Sequence, residues 1–197
     1  MHSGSGNNHK DTLLLSEIQS EFEGSEEVKE TPIPRVKVKA WMQSEDLEVL
    51  GAVYRLIMDK RFYFRIAPPL TIKDYVLFVS HYFGRCFREI PKESVVYKWA
   101  HSRHAAGCEL AGWFASLWFD DGVPRILLLE IKNWLASFYK DGDEEIRSCI
   151  VTATLKPLFE EKKIAKFFAD WRKDVILRRG YDEALKNSKG HLQQPAG

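Results

Sequence analysis

The chain has 197 residues, of which 45% are hydrophobic and 13% are aromatic. This composition provides enough apolar side-chain area for one domain with a buried core, and it excludes disorder of the whole chain. The 29 Lys and Arg residues nearly balance the 28 Asp and Glu residues, so the net charge is only +1. That balance argues against a dedicated nucleic-acid-binding protein, although it does not exclude a local basic patch.

Cysteine content and hydrophobic patterning predict the compartment. The three cysteines, Cys86, Cys108 and Cys149, are too few for a disulfide framework and are typical of free thiols in a reducing compartment. No apolar run approaches the roughly 18 residues of a membrane span. The N-terminus also lacks the basic segment and apolar core of a signal peptide. We therefore expect a cytoplasmic protein without a membrane span.

Residues 1–38 are predicted to form a disordered acidic leader and linker. Within residues 1–31, two lysines face seven acidic residues, a composition that does not favour folding. Leu15, Ile18 and Phe22 nevertheless have the spacing of one helical face. Two interpretations therefore stand: a solvated tail, which we favour, or a short helix that forms on a partner or on the domain surface.

Residues 39–187 are predicted to form an all-α domain, a compact bundle of six or seven helices joined by short turns. Apolar residues recur there every three or four positions, and there is no convincing strand alternation within residues 44–187. A brief alternation of Val and Lys over residues 36–39 is too short to indicate a sheet. Residues 188–197 are predicted to be a flexible tail. The predicted helices are 45–60, 72–88, 95–119, 124–140, a helix from Asp143 that Pro157 ends or kinks, one or two short helices over 158–171, and 174–187.

Capping signals mark the start of two of these helices. Ser44 can cap the first helix, since Glu45 and Asp46 follow it and acidic residues are favoured in a first turn. Thr71 followed by Asp74 resembles a capping box, in which each side chain bonds the backbone N–H of the other residue. We therefore expect helices to begin close after residues 44 and 71.

The predicted helix 95–119 carries the clustered His and Cys residues. His101, His104 and Cys108 fall at positions i, i+3 and i+7, within about 60° of one helical face. Neutral imidazole and thiolate are zinc and copper ligands, so one hypothesis is a metal- or small-ligand-binding site. The alternative, which we favour, is that these residues flank a packed core, and that the small residues of this helix let a neighbouring helix come close.

Basic residues define candidate partner-binding positions. Residues 156–189 contain ten Lys and Arg against six Asp and Glu. With nearby Phe and Tyr, such residues could meet RNA or an acidic protein surface, and the acidic leader could also fold back on them. The simpler alternative, which we favour, is a solvated face of mixed charge. The candidate partner-binding residues are Arg61, Arg65, Arg85, Arg88, Arg178 and Arg179.

The sequence shows no catalytic pattern. It contains no nucleophile elbow and no Gly-rich phosphate loop, and no pair of acidic residues has an obvious catalytic partner. The acidic residues at 120–121 and 141–143 are explained by turns and helix caps. The sequence therefore predicts no catalytic residue and requires no cofactor.

Part of the chain resembles a known group of proteins. Residues 128–187 include the run LEIKNWLASFYKDGDEEIRSCIVTATLKPLFEEKK, in which a helix is followed by a Gly-Asp-Glu-Glu turn and a second helix. This region resembles the second half of an uncharacterised group of small bacterial helical proteins, some of which look like immunity or antitoxin-type partners. The resemblance implies a bacterial interaction protein and transfers no functional residue.

Three functional hypotheses follow. The leading one is a non-enzymatic all-helical protein that binds another macromolecule, most simply a protein such as an immunity-type partner. The second is a metal- or small-ligand-binding helical protein that uses the His and Cys residues of 95–119. The third is an RNA-binding protein that uses the basic C-terminal helices.

Overall fold

The computed structural model describes residues 5–22, 31–89 and 97–189, and within these ranges the chain is almost entirely helical. The prediction of an all-α fold is thus confirmed. The chain divides into two compact units, so the predicted domain 39–187 contains a boundary between them. Residues 1–86 and 93–101 make up the first unit, and residues 87–92 and 102–197 make up the second.

The first unit consists of helices and one minimal parallel strand pair. The strand pair joins Ile33 to Ile66 and Pro34 to Ala67. In chain order the elements are α1 (Ser5–Phe22), β1 (Ile33–Pro34), α2 (Arg35–Trp41), α3 (Leu47–Met58), α4 (Lys60–Tyr63), β2 (Ile66–Ala67) and α5 (Ile72–Glu89), of which α5 ends in the second unit.

Helix α1 corrects the expectation of a solvated leader. Ile18 is fully buried, and Phe22 contacts the rings of Phe62 and Trp99. The other interpretation, a short helix on the surface of the domain, is what the structure shows for these residues. The expected linker is also folded from residue 33 onward, while residues 23–30 lie outside the described residues.

The Val and Lys alternation before residue 40 belongs to helix α2. Pro34 has extended backbone angles, and the helix begins directly after it. Val38 is fully buried, whereas Val36 is 77% exposed. The alternation is therefore too short to distinguish a strand from one helical turn, and within residues 33–41 the strand covers Ile33 and Pro34 alone.

The predicted capping signals hold in part. Thr71 and Asp74 form the predicted capping box: the Thr71 N–H donates to Asp74 Oδ2 at 2.9 Å, and the Asp74 N–H donates to Thr71 Oγ1 at 3.2 Å. Helix α3, however, is capped by Asp46, whose Oδ1 accepts from the Val49 N–H at 2.9 Å. Ser44 instead accepts from the Asp46 N–H at 3.1 Å, so the helix begins later than predicted.

No helix within the described residues is long and apolar enough to cross a membrane.

The second unit is built around helix α6. The elements are α6 (Arg103–Phe119), α7 (Arg125–Asp141), α8 (Glu144–Cys149), a π-helix (Ile150–Leu155), α9 (Lys156–Phe159), α10 (Lys162–Phe167), a 3₁₀-helix (Ala169–Lys173) and α11 (Val175–Lys189).

Small residues of α6 allow close helix packing, as the sequence predicted. A Cβ atom at Gly107 would lie 2.7 Å from the Cβ of Ala153. The Thr154 hydroxyl donates to the Gly107 carbonyl at 3.0 Å, so this buried hydroxyl is satisfied. Helix α6 thus serves as a packing helix of the second unit.

Pro157 changes the type of helix without ending it. Proline lacks an N–H, and its ring presses on the carbonyl four residues earlier, here that of Ala153. The π-helix that ends at Leu155 widens the backbone just before this point, and α9 continues through the proline. A local widening replaces the predicted end or kink, because it makes room for the ring.

Candidate protein-binding groove

The three predicted metal ligands do not form a metal site. His101 belongs to the first unit, whereas His104 and Cys108 belong to the second. Helix α6 begins at Arg103, so His101 is not on the helix and the shared-face geometry does not apply. Among the residues that the structure describes, no group of three or more His, Cys, Asp or Glu side chains could hold a metal ion.

His101 is held by a buried tyrosine. The Tyr82 hydroxyl lies 2.8 Å from His101 Nδ1 and accepts from the His101 backbone N–H at 3.0 Å. Burial raises the pKa of Tyr82 far above its usual value, so the phenol stays neutral. The pair anchors the chain before α6, and the neutral phenol is not poised for acid–base chemistry.

The two cysteines of the second unit lie in different environments. Burial raises the pKa of Cys149 to about 11, which keeps its thiol protonated near neutral pH. Its Sγ donates to the Arg103 carbonyl at 3.4 Å. Cys108 is exposed and lies 3.7 Å from His104 Nδ1, measured from its Sγ atom.

The three predicted partner-binding arginines of the first unit are engaged within the chain. Arg61 pairs with Asp59 at 2.6 Å, although both side chains lie in contact with solvent. Arg65 is nearly buried and pairs with Glu21 of α1 at 2.7 Å. Arg85 donates to the Glu45 carbonyl at 2.6 Å. Arg65 and Arg85 therefore have structural roles.

The other three predicted arginines lie in the second unit and do not form a cluster with shared contacts. The Arg88 guanidinium lies 4.4 Å from the centre of the Phe138 ring. Arg179 pairs with Glu144 at 2.9 Å, but both side chains are about 70% exposed, so the pair contributes little stability. Arg178 donates to a backbone carbonyl at 2.8 Å. The basic residues that do converge on one surface are lysines.

A groove in the second unit lies between α10 and α11 and has a volume of about 500 Å³. We call it the lysine groove. Its floor is apolar, its rim carries two lysines and one glutamate, and it is contained entirely within the second unit. The lining residues are Phe159, Glu160, Lys162, Ala165, Lys166, Ala169, Tyr181, Leu185 and Ser188.

Local sequence explains why α10 presents lysines outward. Glu161 caps the helix by accepting from the Lys163 N–H at 2.9 Å. Ile164 and Ala165 are buried, whereas the three lysines of this short helix are exposed. Lys162 and Lys166 are four residues apart and consequently lie on the same side of the helix.

Helix α11 supplies the opposite wall. Asp174 caps it by accepting from the N–H groups of residues 176 and 177 at 2.9 and 3.1 Å. Tyr181, Leu185 and Ser188 follow one another at three- and four-residue intervals on one face. The Tyr181 hydroxyl donates to the Ala165 carbonyl at 3.1 Å, which ties the two walls together at the floor.

The charge at the groove rim is not compensated within the described part of the chain. Lys162 and Lys166 form no ion pair with a described residue, and Glu160 is the only acidic residue that lines the groove. Other lysines of this unit are paired: Lys132, for example, is nearly buried and bonds Asp170 at 2.8 Å. The unpaired lysines are thus available to a negatively charged partner.

Two further grooves lie in the first unit, beside α2 and α5, and most of the charged side chains that line them pair with one another. Asp74 bonds Arg35 at 2.8 Å and Lys39 at 3.0 Å. Burial acts to raise the pKa of Asp74, but the hydrogen bonds from Thr71 and Lys39 and the charge of Arg35 outweigh it and hold the pKa at about 2. This surface offers less free charge than the lysine groove.

The lysines of the groove lie within the basic segment 156–189 but are not among the six arginines predicted to bind a partner. The available signal was the pattern Lys162-Lys163-x-x-Lys166, which the aromatic residues Phe159 and Phe167 flank in the sequence. The pattern alone does not show which lysines have an acidic partner, because ion pairs such as Lys132 with Asp170 span 38 residues of sequence.

Comparisons with protein-family models, with curated proteins and with solved structures gave no match to this chain. The resemblance of residues 128–187 to small bacterial helical proteins therefore stays a prediction.

Proposed function

We propose that this chain is a non-enzymatic protein-binding protein, and that its lysine groove binds an acidic amphipathic segment of a partner protein. The observation that carries this proposal is the combination of an apolar floor with lysines that have no carboxylate partner among the described residues. Apolar anchors of the partner would enter the groove, and its acidic side chains would pair with Lys162 and Lys166.

The polar atoms of the groove favour a protein partner over a small ligand. Small-ligand sites combine apolar walls with a few polar groups aimed at the ligand. Here the Tyr181 hydroxyl donates to the Ala165 carbonyl, and the Ser188 hydroxyl donates to the Leu185 carbonyl. Both hydroxyl protons are therefore already used, which leaves the rim charges as the main polar feature.

The aromatic floor also favours protein over RNA. Single-stranded RNA is bound by stacking of its bases on exposed aromatic faces. Phe159 is 3% exposed and Tyr181 is 4% exposed, so neither ring offers a free face for a base. Among the hydrophobic lining residues, the half-buried Leu185 and Ala169 are the most exposed, and they suit aliphatic side chains.

Selection of peptides from a random library displayed on phage tests the proposal. We expect the full chain to enrich peptides that alternate apolar and acidic residues with helical spacing. A synthetic peptide made from the enriched sequence should shift the amide NMR signals of Ala165, Ala169 and Leu185. Failure to enrich any peptide, or shifts confined to the other unit, would show that the lysine groove is not the binding site.

Two matched variants separate the groove from general charge. Lys162→Glu combined with Lys166→Glu is expected to weaken peptide binding by at least about tenfold. The control combines Lys163→Glu with Lys186→Glu, which makes the same change in net charge on exposed residues outside the groove lining. It is expected to weaken binding by less than about threefold. Equal losses would indicate a diffuse electrostatic attraction.

The same variants test the RNA alternative. A random-sequence single-stranded oligonucleotide is titrated into the unsubstituted chain at low salt, where phosphate binding is strongest. We expect no saturable binding. Saturable binding that is lost in the Lys162→Glu and Lys166→Glu variant, without peptide enrichment, would replace the protein-binding proposal with an RNA-binding one.

A further inference from the structure

Helix α1 lies on an aromatic and basic surface of the first unit. Phe22 meets Phe62 edge to face, with ring centres 4.9 Å apart, and stacks on Trp99 at 5.4 Å. Ile18, one turn earlier, is fully buried. The apolar side of α1 thus has two anchors at helical spacing.

Two carboxylates of α1 bind the basic residues of this surface. Glu17 pairs with Lys37 at 2.8 Å and accepts from the Trp41 indole N–H at 3.1 Å. Glu21, four residues later, pairs with Arg65 at 2.7 Å. The helix is therefore recognised by an acidic pattern as well as by its apolar anchors. We call the surface formed by Lys37, Trp41, Phe62, Arg65 and Trp99 the α1-binding surface.

Much of the α1-binding surface is held in place without α1. The Glu48 carboxylate on α3 accepts from three successive backbone N–H groups, those of residues 98, 99 and 100, at 2.6, 2.6 and 3.0 Å. Gly51, one turn later, allows the same segment to lie directly against α3. Trp99 is consequently positioned by α3, and Trp41 is positioned by α2.

Helix α1 leaves one hydrogen-bond donor of this surface without an acceptor. The indole nitrogen of Trp99 is buried and has no hydrogen-bond acceptor among the described residues, although Phe22 stacks on the same ring. A buried donor without an acceptor is costly, and a helix that supplied an acceptor there would bind more tightly. At the other end of the contact, Leu13 of α1 is 59% exposed.

We propose that the α1-binding surface is a binding site for an acidic amphipathic helix of another protein, and that α1 is the intramolecular occupant which this helix displaces. The partner helix carries two acidic residues four positions apart, an apolar residue between them, and an aromatic residue after the second acid. The site is separate from the lysine groove, since it lies in the other unit. The two proposals therefore stand or fail independently.

Because α1 competes for the same surface, its release should raise the affinity of the chain for a free helix. A tethered occupant acts at a high effective concentration, so a free helix binds the unsubstituted chain weakly. The probe is a fluorescein-labelled synthetic peptide of residues 5–22, and fluorescence anisotropy reports its binding. Ile18→Asp in the full chain places a charge at a fully buried position and is expected to release α1. This variant should bind the peptide at least about tenfold more tightly than the unsubstituted chain.

A charge exchange shows whether the peptide occupies the same surface. Adding Arg65→Glu to the Ile18→Asp chain is expected to weaken peptide binding by about tenfold or more, because Glu21 of the peptide loses its partner. A peptide with Glu21→Arg should recover binding to that doubly substituted chain. Circular dichroism verifies that the variants keep their helical content.

A second way of releasing α1 covers the case in which Ile18→Asp disturbs folding. The full chain with Glu17→Ala and Glu21→Ala keeps the buried Ile18 and loses the contacts of the two carboxylates with Lys37, Trp41 and Arg65. It should also bind the peptide more tightly than the unsubstituted chain. Equal affinity for the unsubstituted chain and for both released variants, or affinity that does not respond to Arg65→Glu, would overturn the proposal.

Discussion

The α1-binding surface of the first unit and the lysine groove of the second have similar chemistry but different occupancy. In the first unit, Lys37 and Arg65 are bonded by two carboxylates of α1. In the second unit, Lys162 and Lys166 have no carboxylate partner among the described residues. The first surface shows how this protein holds an acidic amphipathic helix, and the second has the charge and the apolar floor to hold one from another protein.

Substitution of Gly51 is expected to have the largest effect on stability, because this residue allows the segment that carries Trp99 to lie against α3. A Cβ atom there would lie 2.6 Å from the Ala100 nitrogen. Gly51→Ala is expected to lower the free energy of unfolding by about 3 kcal/mol, because the obstructing atoms are backbone and cannot rotate away. Unfolding in denaturant measures the loss.

Gly112 provides the matched control in the second unit. It lies within α6, and a Cβ atom there would have no neighbour within 4 Å. Gly112→Ala is expected to raise the free energy of unfolding by about 0.5–1 kcal/mol, because alanine restricts the unfolded chain and favours helix. If both substitutions changed the free energy of unfolding equally, residues 99 and 100 would not lie as close to α3 as the structure places them.

The next largest effect is expected from removing the buried anchor of α1. Ile18→Ala should cost about 2 kcal/mol, because a fully buried side chain loses three carbon atoms and leaves a cavity. Leu13→Ala on the same helix should cost less than about 0.5 kcal/mol, since Leu13 is 59% exposed. Hydrogen exchange of α1, together with denaturant unfolding, measures both. Equal losses of stability at the two positions would mean that Ile18 is not the buried anchor of α1.

The contrast in charge pairing predicts a smaller difference. The Arg65 side chain is 8% exposed, pairs with Glu21 and also donates to the Thr31 carbonyl at 3.2 Å. Arg65→Ala is expected to cost about 1–2 kcal/mol, because a mostly buried carboxylate loses its partner. Lys166→Ala should change stability by less than about 0.5 kcal/mol. A loss at Lys166 as large as that at Arg65 would reveal a partner within the chain.

The smallest effect concerns the grooves beside α2, where Asp74 neutralises Arg35 and Lys39. Its folded pKa of about 2 lies below the unfolded value, so its contribution to stability is full above about pH 4 and disappears as the pH falls through about 2. Asp74→Asn is expected to cost about 1 kcal/mol at pH 7. In thermal unfolding, the difference from the unsubstituted chain should narrow below pH 4. A difference that does not depend on pH would mean that the charge of Asp74 is unimportant.

Local signals were sufficient to predict much of the helical fold. The capping box of Thr71 and Asp74 places the start of α5, and α7 and α11 begin within one residue of their predicted positions. These features depend on neighbouring residues, whose interactions are visible in the sequence. Helix 95–119 was predicted to begin too early, because Glu48, some 50 residues away, binds the backbone of residues 98–100.

The candidate sites were harder to predict because charge pairing is decided by tertiary structure. Ile18 and Phe22 have helical spacing, but the acidic composition around them led us to favour a solvated tail. The sequence predicts Arg65 as a candidate partner-binding residue, whereas in the structure it is paired with Glu21, 44 residues earlier. Sequence distance conceals such pairs, and it equally conceals which lysines remain unpaired.

Lysine reactivity tests the contrast between the two surfaces most directly. The full chain is acetylated with limiting acetic anhydride, with and without the peptide selected for binding, and mass spectrometry measures the extent at each lysine. We predict that the peptide protects Lys162 and Lys166 several-fold and leaves Lys37 unchanged, because α1 already occupies the surface around Lys37. Protection of Lys37 with no protection of Lys162 and Lys166 would show that the peptide binds the α1-binding surface and not the lysine groove.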